Sequence, residues 1–200
     1  MKKSIPFHAG PVRNTLLTLF CYLLVAACMQ NDESLAPRNL QAADELQAND
    51  AARLPNMKTT FTAQLSAANE LPTAAGPVVS KGRGLAVFHL SDDGASLHYK
   101  LIVANIANVT QSHIHCGPAG VNGSVVVFLF GLVPTGVNVN GVLAEGDITA
   151  ANIIARPESA SCSGGLQTFD DLLRHIREGS AYVNVHTLAY PGGEIRGQLD

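Results

Sequence analysis

The chain has 200 residues, of which 46% are hydrophobic and 14% are charged, and its formal net charge is −3. This composition excludes a disordered chain, and the lack of a basic excess argues against binding to nucleic acid. Eighteen Gly, ten Pro and no Trp favour many short elements joined by turns. The composition therefore favours an all-β domain over a helical bundle.

The N-terminus has the features of an export signal. Lys2, Lys3 and Arg13 precede an apolar run over residues 16–27, which is too short for a membrane-spanning helix of about 20 residues. The run ends in the sequence LVAA directly before Cys28, which resembles a bacterial lipobox, whose cysteine is lipidated and becomes the new N-terminus. The alternative is an ordinary secretory signal cleaved nearby, with Cys28 unmodified. Both interpretations export the protein.

Three segments follow from this pattern. Residues 1–27 form the predicted lipoprotein signal peptide, residues 28–56 the lipidated cysteine and a flexible tether, and residues 57–200 one folded domain. The tether lacks aromatic and β-branched residues, so it cannot bury enough apolar surface to offset the entropy of ordering. We expect a lipid-anchored protein of the bacterial cell envelope. The sequence does not reveal the type of envelope. In a Gram-negative cell, the resemblance to lipoproteins of such bacteria implies that Met29 gives no inner-membrane retention signal, and the expected location is then the outer membrane or the periplasmic side.

The domain alternates apolar and polar residues with the period of β-strands. The turn sequence SDDGAS at residues 91–96 predicts a hairpin in which Phe88 faces Tyr99 and His89 faces His98. With one inserted helix, this pattern predicts an antiparallel β-sandwich or open barrel of about eight short strands. The predicted strands cover residues 59–65, 84–90, 97–103, 110–116, 124–130, 142–149, 181–187 and 194–199.

The inserted helix is predicted from its ends and its apolar stripe. Thr168 is the expected N-cap, Asp170 and Asp171 suit the first turn, and Gly179 marks the end of the helix. The apolar stripe consists of Leu166, Phe169, Leu172, Leu173 and Ile176.

Three stretches of the domain form a recognisable pattern. They are LSAANELP at residues 65–72, SHIHCGPAG at 112–120, and YVNVHT followed by PGGEIRGQL within 182–199. Together they resemble the CHRD domain, which is repeated in chordin and also occurs alone in exported bacterial proteins. The resemblance implies an extracytoplasmic all-β domain.

Four residues in these stretches are expected to have structural roles. Asn184 is a candidate hydrogen-bond partner of the nearby histidines. Gly192 and Gly193 are expected to form a tight turn, because Gly tolerates positive φ. Arg196 shares a strand face with Glu194, and the two are expected to form a solvated ion pair worth at most about 1 kcal/mol.

The histidines of these stretches are candidate metal ligands. His113 and His115 lie two apart on a predicted strand, so both side chains leave the same face. If the strands are neighbours, His113, His115, His186 and Glu194 converge and suit Zn or Cu, since neutral imidazole binds both. The His-x-His element is similar to one in copper-zinc superoxide dismutase, but this is an analogy only. In the alternative interpretation the histidines hydrogen-bond to Asn184, Glu194 or backbone groups and connect the strands.

Two cysteines remain in the mature domain, because Cys21 leaves with the signal peptide and Cys28 is the lipidation site. An isolated pair in an exported protein predicts a disulfide between Cys116 and Cys162. The competing role is Cys116 as a thiolate metal ligand. Strand parity opposes that role, since Cys116 points away from the His-x-His side chains unless a bulge intervenes.

The sequence contains no signature of a nucleophile elbow, a zinc protease or a phosphate-binding loop. The leading hypothesis is therefore a non-catalytic binding or structural module. Its expected partners are the membrane, through the lipid, and an unidentified protein or matrix component, and not nucleic acid. The alternative is a metal-binding protein that uses His113, His115 and His186, with Cu or Zn as its cofactor.

Overall fold

The computed structural model describes residues 57–200. The predicted signal peptide, the lipidation site at Cys28 and the tether up to residue 56 lie outside the described residues. Within residues 57–200, no helix combines the length and the apolar character needed to cross a membrane.

Residues 57–200 form eight strands and one α-helix, which confirms the predicted fold class. Every predicted strand is present, and its ends differ by at most one residue from the expectation. Short 3-10 helices follow the first and the sixth strand, at Ala67–Asn69 and Ala150–Asn152. The elements are β1 (Thr60–Ser66), β2 (Arg83–Leu90), β3 (Leu97–Ala104), β4 (Val109–Cys116), β5 (Ser124–Phe130), β6 (Gly141–Ile148), α1 (Phe169–Arg177), β7 (Ala181–Thr187) and β8 (Ile195–Gln198).

The strands form one antiparallel sheet in the order β5-β4-β7-β8-β1-β2-β3-β6. The sheet curls until its two edge strands approach each other, which gives a nearly closed barrel. The Tyr99 hydroxyl donates to the Leu129 carbonyl at 2.6 Å across this gap. The Ile154 N–H donates to the Val126 carbonyl at 2.9 Å, so a loop covers the edge of β5. Of the two predicted architectures, the open barrel is therefore the one that forms.

The β2–β3 hairpin has the predicted register. Phe88 pairs with Tyr99 and His89 pairs with His98. Phe88 and Tyr99 point into the core, with ring centroids 6.2 Å apart, whereas both histidines are exposed on the opposite face. Alternation along the strand thus decides which face is buried.

Helix α1 begins and ends where the sequence predicts. The Thr168 hydroxyl accepts from the Asp171 N–H at 3.1 Å, and the Asp171 carboxylate accepts from the Thr168 N–H at 3.0 Å, which completes a capping box. Gly179 follows the helix with a φ of +68°. The predicted stripe is buried and extends the barrel core, and His175 is buried beside it.

Strand β7 departs from the expected half-buried pattern, because both of its faces are buried. Its apolar face packs in the barrel core. Its polar face lies under the segment that follows β4, where the Gly123 N–H donates to the Tyr182 hydroxyl at 3.1 Å. The sheet therefore encloses polar side chains here rather than exposing them.

The predicted disulfide joins Cys116 at the end of β4 to Cys162 in the loop before α1, with Cα atoms 5.3 Å apart. Both cysteines are buried in the core. Cys116 lies on the face of β4 opposite His113 and His115, as strand parity requires. Its competing role as a ligand beside these histidines is therefore excluded.

The disulfide should stabilise the domain substantially, because it connects residues 46 positions apart. We expect the Cys116→Ala/Cys162→Ala variant to lose about 2–4 kcal/mol of unfolding free energy. Urea denaturation followed by circular dichroism measures this loss. A reductant should lower the stability of the wild type and leave that of the variant unchanged. Equal stability of wild type and variant in the absence of reductant would contradict the prediction.

Candidate metal-binding site

The site is built on the antiparallel pairing of β4 with β7. His113 lies opposite Asn184 and His115 lies opposite Tyr182 in this ladder. His186 follows Asn184 by two residues, so it leaves the same face of β7. The polar residues of both strands are therefore brought to one side of the sheet.

Three histidines from the two strands share one buried space. His113, His115 and His186 are 3%, 7% and 6% exposed, and one ring nitrogen of each lies within 4.8 Å of the others. The Nδ1 atom of His113 is 3.1 Å from Nε2 of His186. The Phe128 ring covers His113 at a centroid distance of 4.5 Å, and the Tyr182 ring stacks on His115 at 4.7 Å. The sequence-predicted histidines thus meet at a spacing that suits a single ion.

Backbone carbonyls determine which ring nitrogens are protonated. His115 Nδ1 lies 2.9 Å from the Gly123 carbonyl, and His186 Nδ1 lies 2.8 Å from the Pro191 carbonyl. Because a carbonyl oxygen can only accept, both Nδ1 atoms must donate. In a neutral imidazole the other nitrogen, Nε2, then has a lone pair. Both Nε2 atoms lie 3.0 Å from Oδ1 of Asn184.

Burial keeps these imidazoles neutral. It lowers the pKa of His113 from 6.5 to about 3, with further lowering from His186 and His115. It also lowers the pKa of His115 to about 4, against the opposing effect of the hydrogen bond to Gly123. The pKa of His186 is likewise lowered by burial. Near pH 7 all three rings are therefore in the form that binds metal ions.

Glu194, the fourth predicted ligand, does not join the histidines. Its carboxylate accepts hydrogen bonds from the Ser80 hydroxyl at 2.5 Å and from the Thr187 hydroxyl at 2.6 Å. Glu194 precedes the first residue of β8, so the strand parity that predicted its direction does not apply. Its observed contacts connect the segment before β2 to the end of β7.

A family model described as CHRD domain matches residues 61–199. The chain belongs to the CHRD domain family. No curated protein and no solved structure matches the chain. The matched range spans the CHRD domain from β1 to β8 and includes all three clustered histidines and Asn184.

Arg196 of the CHRD domain is buried and does not pair with Glu194, so the predicted solvated ion pair is wrong. Its guanidinium lies 3.4 Å from the centroid of the Tyr182 ring. It donates to Asn122 Oδ1 at 3.0 Å and to the Val121 carbonyl. The Tyr182 ring therefore has contacts with both His115 and Arg196, which fixes the wall of the histidine cluster.

Two further residues of the site, Gly123 and Pro191, could not be recognised from the sequence. Gly123 and Pro191 contribute backbone carbonyls, which any residue type provides. A side chain at Gly123 would collide with the Cys116 carbonyl, so a close approach of two backbone segments requires this glycine. Gly193 adopts a φ of +132°, as the predicted turn requires, whereas a Cβ at Gly192 would meet open space.

The other three histidines of residues 57–200 lie away from the cluster. On the exposed face of the β2–β3 hairpin, His89 Nδ1 is 3.0 Å from the Thr60 hydroxyl, and His98 Nδ1 is 2.9 Å from the Asp147 carboxylate. His175 lies in the core beside the disulfide and contacts the Gly165 carbonyl at 2.9 Å through Nε2. The exposed pair therefore provides matched control positions for variants of the cluster.

The lowered histidine pKa values predict a stability that depends on pH in the metal-free protein. In the unfolded chain both histidines become protonated below about pH 6.5. In the folded chain His115 becomes protonated only near pH 4 and His113 only near pH 3. The unfolding free energy should therefore be highest above pH 6.5 and fall on acidification, by about 1.4 kcal/mol per pH unit for each histidine.

Urea denaturation between pH 7 and pH 4.5 measures this slope. The His113→Gln/His115→Gln variant should show a shallower slope than the wild type, because glutamine does not titrate. Equal slopes in the wild type and this variant would contradict the prediction.

Proposed function

We propose that this CHRD domain is a non-catalytic extracytoplasmic module that binds one Zn or Cu ion through His113, His115 and His186. The observation that supports this proposal most strongly is the direction of the lone pairs. With both Nδ1 atoms donating to carbonyls, the Nε2 atoms of His115 and His186 and Oδ1 of Asn184 are three acceptors that face one another. A cation between them replaces mutual repulsion with attraction.

Hydrogen bonds within the cluster do not satisfy it. His113 Nδ1 can donate one proton to His186 Nε2, but His113 Nε2 is then buried with no partner among the described residues. Buried polar atoms are normally paired, and each exception calls for an explanation. A purely structural histidine network therefore leaves one buried ring nitrogen unpaired.

The anchoring of the rings also supports metal binding. Metal-bound histidines usually donate their second ring N–H to a carbonyl or carboxylate, which fixes the tautomer and the ring orientation. His115 and His186 have this arrangement with Gly123 and Pro191. Imidazole nitrogen suits both Zn and Cu, with Zn–N bonds of about 2.0–2.1 Å.

Burial of the cluster favours binding over catalysis. Catalytic metal sites keep an open coordination position for water or substrate, whereas the three histidines here are at most 7% exposed. Glu194, the acidic residue that the sequence suggested for this site, is held by Ser80 and Thr187 instead. We therefore infer a binding role rather than an enzymatic one.

We also propose that the mature protein is attached to the bacterial envelope through a lipid on Cys28. The disulfide between Cys116 and Cys162 fits an oxidising, extracytoplasmic setting. The lipobox-like sequence before Cys28 supports the anchor. In this setting the lipid connects the protein to the membrane, and the domain binds an unidentified protein or matrix component.

Metal content tests the binding function directly. The protein, purified without a histidine tag and loaded with Zn or Cu, should retain close to one ion per chain by mass spectrometry. The His113→Ala/His115→Ala/His186→Ala variant should retain none, because it lacks the three ligating rings.

The exposed histidines provide the control for this experiment. The His89→Ala/His98→Ala variant should retain as much metal as the wild type. If wild type and cluster variant both lack metal, the binding function is wrong. A less heat-stable cluster variant would then indicate that the histidines serve as hydrogen-bonding groups between strands.

The lipid anchor has a separate test in a bacterium that processes lipoproteins. The wild type should partition into the detergent-rich phase of Triton X-114, and the Cys28→Ala variant into the aqueous phase. The Cys21→Ala variant makes the same change within the signal peptide and should behave as the wild type. Aqueous partitioning of the wild type would refute the anchor.

A further inference from the structure

A buried carboxylate oxygen near the histidine cluster lacks a hydrogen-bond partner. Glu70 follows the 3-10 helix after β1, and its Oε1 atom is buried without a partner among the described residues. An unpaired carboxylate oxygen away from water is costly, so a donor is expected close to it. The identity of that donor follows from the surroundings of Glu70.

Gly193 shows which group faces Glu70. A Cβ built on Gly193 would collide with the Glu70 carboxylate and would lie 3.2 Å from Nδ2 of Asn184. The carboxylate and the amide nitrogen therefore border the same small space, which remains open because Gly193 has no side chain. Since this Cβ position is 2.4 Å from Oε1 of Glu70 and 3.2 Å from Nδ2 of Asn184, the two atoms are at most 5.6 Å apart.

We propose that Glu70 is a positioning residue that accepts a hydrogen bond from Nδ2 of Asn184 and so directs Oδ1 of Asn184 to the metal ion as its fourth ligand. This inference rests on the proposed metal-binding function. The two ends of an amide have similar shapes, and only hydrogen-bond partners decide between them. Because a carboxylate can only accept, Glu70 holds the nitrogen end and leaves the oxygen end towards the histidines.

The distances around Asn184 agree with a four-ligand site. Oδ1 lies 3.0 Å from Nε2 of His115 and 3.0 Å from Nε2 of His186. Ligand atoms around a tetrahedral ion with bonds of about 2.0–2.1 Å are about 3.3 Å apart. Both distances are therefore within a few tenths of an ångström of the spacing in a tetrahedral site.

The charge of Glu70 also suits this role. Three neutral imidazoles and an amide leave the charge of a divalent ion uncompensated, and Glu70 adds a negative charge one hydrogen bond away from a ligand. Burial is the largest effect and raises the pKa of Glu70, and Arg196 and the backbone N–H of Leu71 oppose it only in part. The proposed ion would favour the ionised carboxylate, because a nearby opposite charge stabilises the charged form.

Metal affinity of the full-length protein tests the role of Glu70. In competition with a chromophoric chelator, the Glu70→Gln variant should bind Zn about 10-fold to 100-fold more weakly than the wild type. A glutamine can present either end of its amide, so it no longer selects the orientation of Asn184. The Glu194→Gln variant makes the same change at a carboxylate that contacts Ser80 and Thr187, and it should keep the wild-type affinity.

A double-variant comparison separates positioning from a general effect on folding. In an Asn184→Ala background, Glu70→Gln should change the Zn affinity by less than about twofold, because Glu70 acts through the missing amide. The Co-loaded Asn184→Ala protein should also differ from the wild type in its d–d absorption, since one oxygen ligand is lost. An unchanged spectrum would overturn the assignment of Asn184 as a ligand.

The outcomes distinguish this inference from the proposed function. A wild type that binds neither Zn nor Cu refutes both. A wild type that binds metal, together with an unchanged affinity in Glu70→Gln, overturns the role of Glu70 and leaves the histidine site intact. Equal weakening in Glu70→Gln and Glu194→Gln, or a persistent loss in the Asn184→Ala background, also overturns it.

Discussion

The register between β4 and β7 is the constraint on which the site depends. Ile114 and Val183 are a directly opposed pair, and both are fully buried in the core. Burying an aliphatic side chain stabilises a fold by about 1.5–3 kcal/mol. Burial of this pair therefore stabilises the observed register of β4 and β7. A slip of one residue would move His113 and Asn184 into the core face. The apolar side of the two strands therefore positions the polar side.

Enclosing that polar side requires specific partners. The segment after β4 and the turn after β7 provide the carbonyls of Gly123 and Pro191, which anchor the rings of His115 and His186. Gly123 can approach only because its missing side chain leaves room beside the Cys116 carbonyl. The disulfide holds the same end of β4. The core, the disulfide and the histidine site are thus connected through one strand.

The strands, the β2–β3 hairpin and helix α1 could be predicted from the sequence, whereas the loop contacts of the site could not. Alternation predicted the faces of His113 and His115, because a strand has a fixed period of two, and the turn sequence at residues 91–96 predicted the pairing of Phe88 with Tyr99. Glu194 was misplaced because β8 begins at Ile195, one residue after it. The backbone carbonyls that accept from His115 and His186 could not be predicted, since every residue type has a backbone carbonyl.

The proposed metal ion would change the energetics of the cluster. Without an ion, the domain buries three neutral imidazoles and leaves Nε2 of His113 unpaired. The unpaired nitrogen lowers the stability of the metal-free state. An ion that binds the folded chain and not the unfolded chain shifts the folding equilibrium in proportion to its affinity. The proposed site would offer the ion neutral imidazoles whose rings are oriented by backbone carbonyls, so ion binding would stabilise the folded domain.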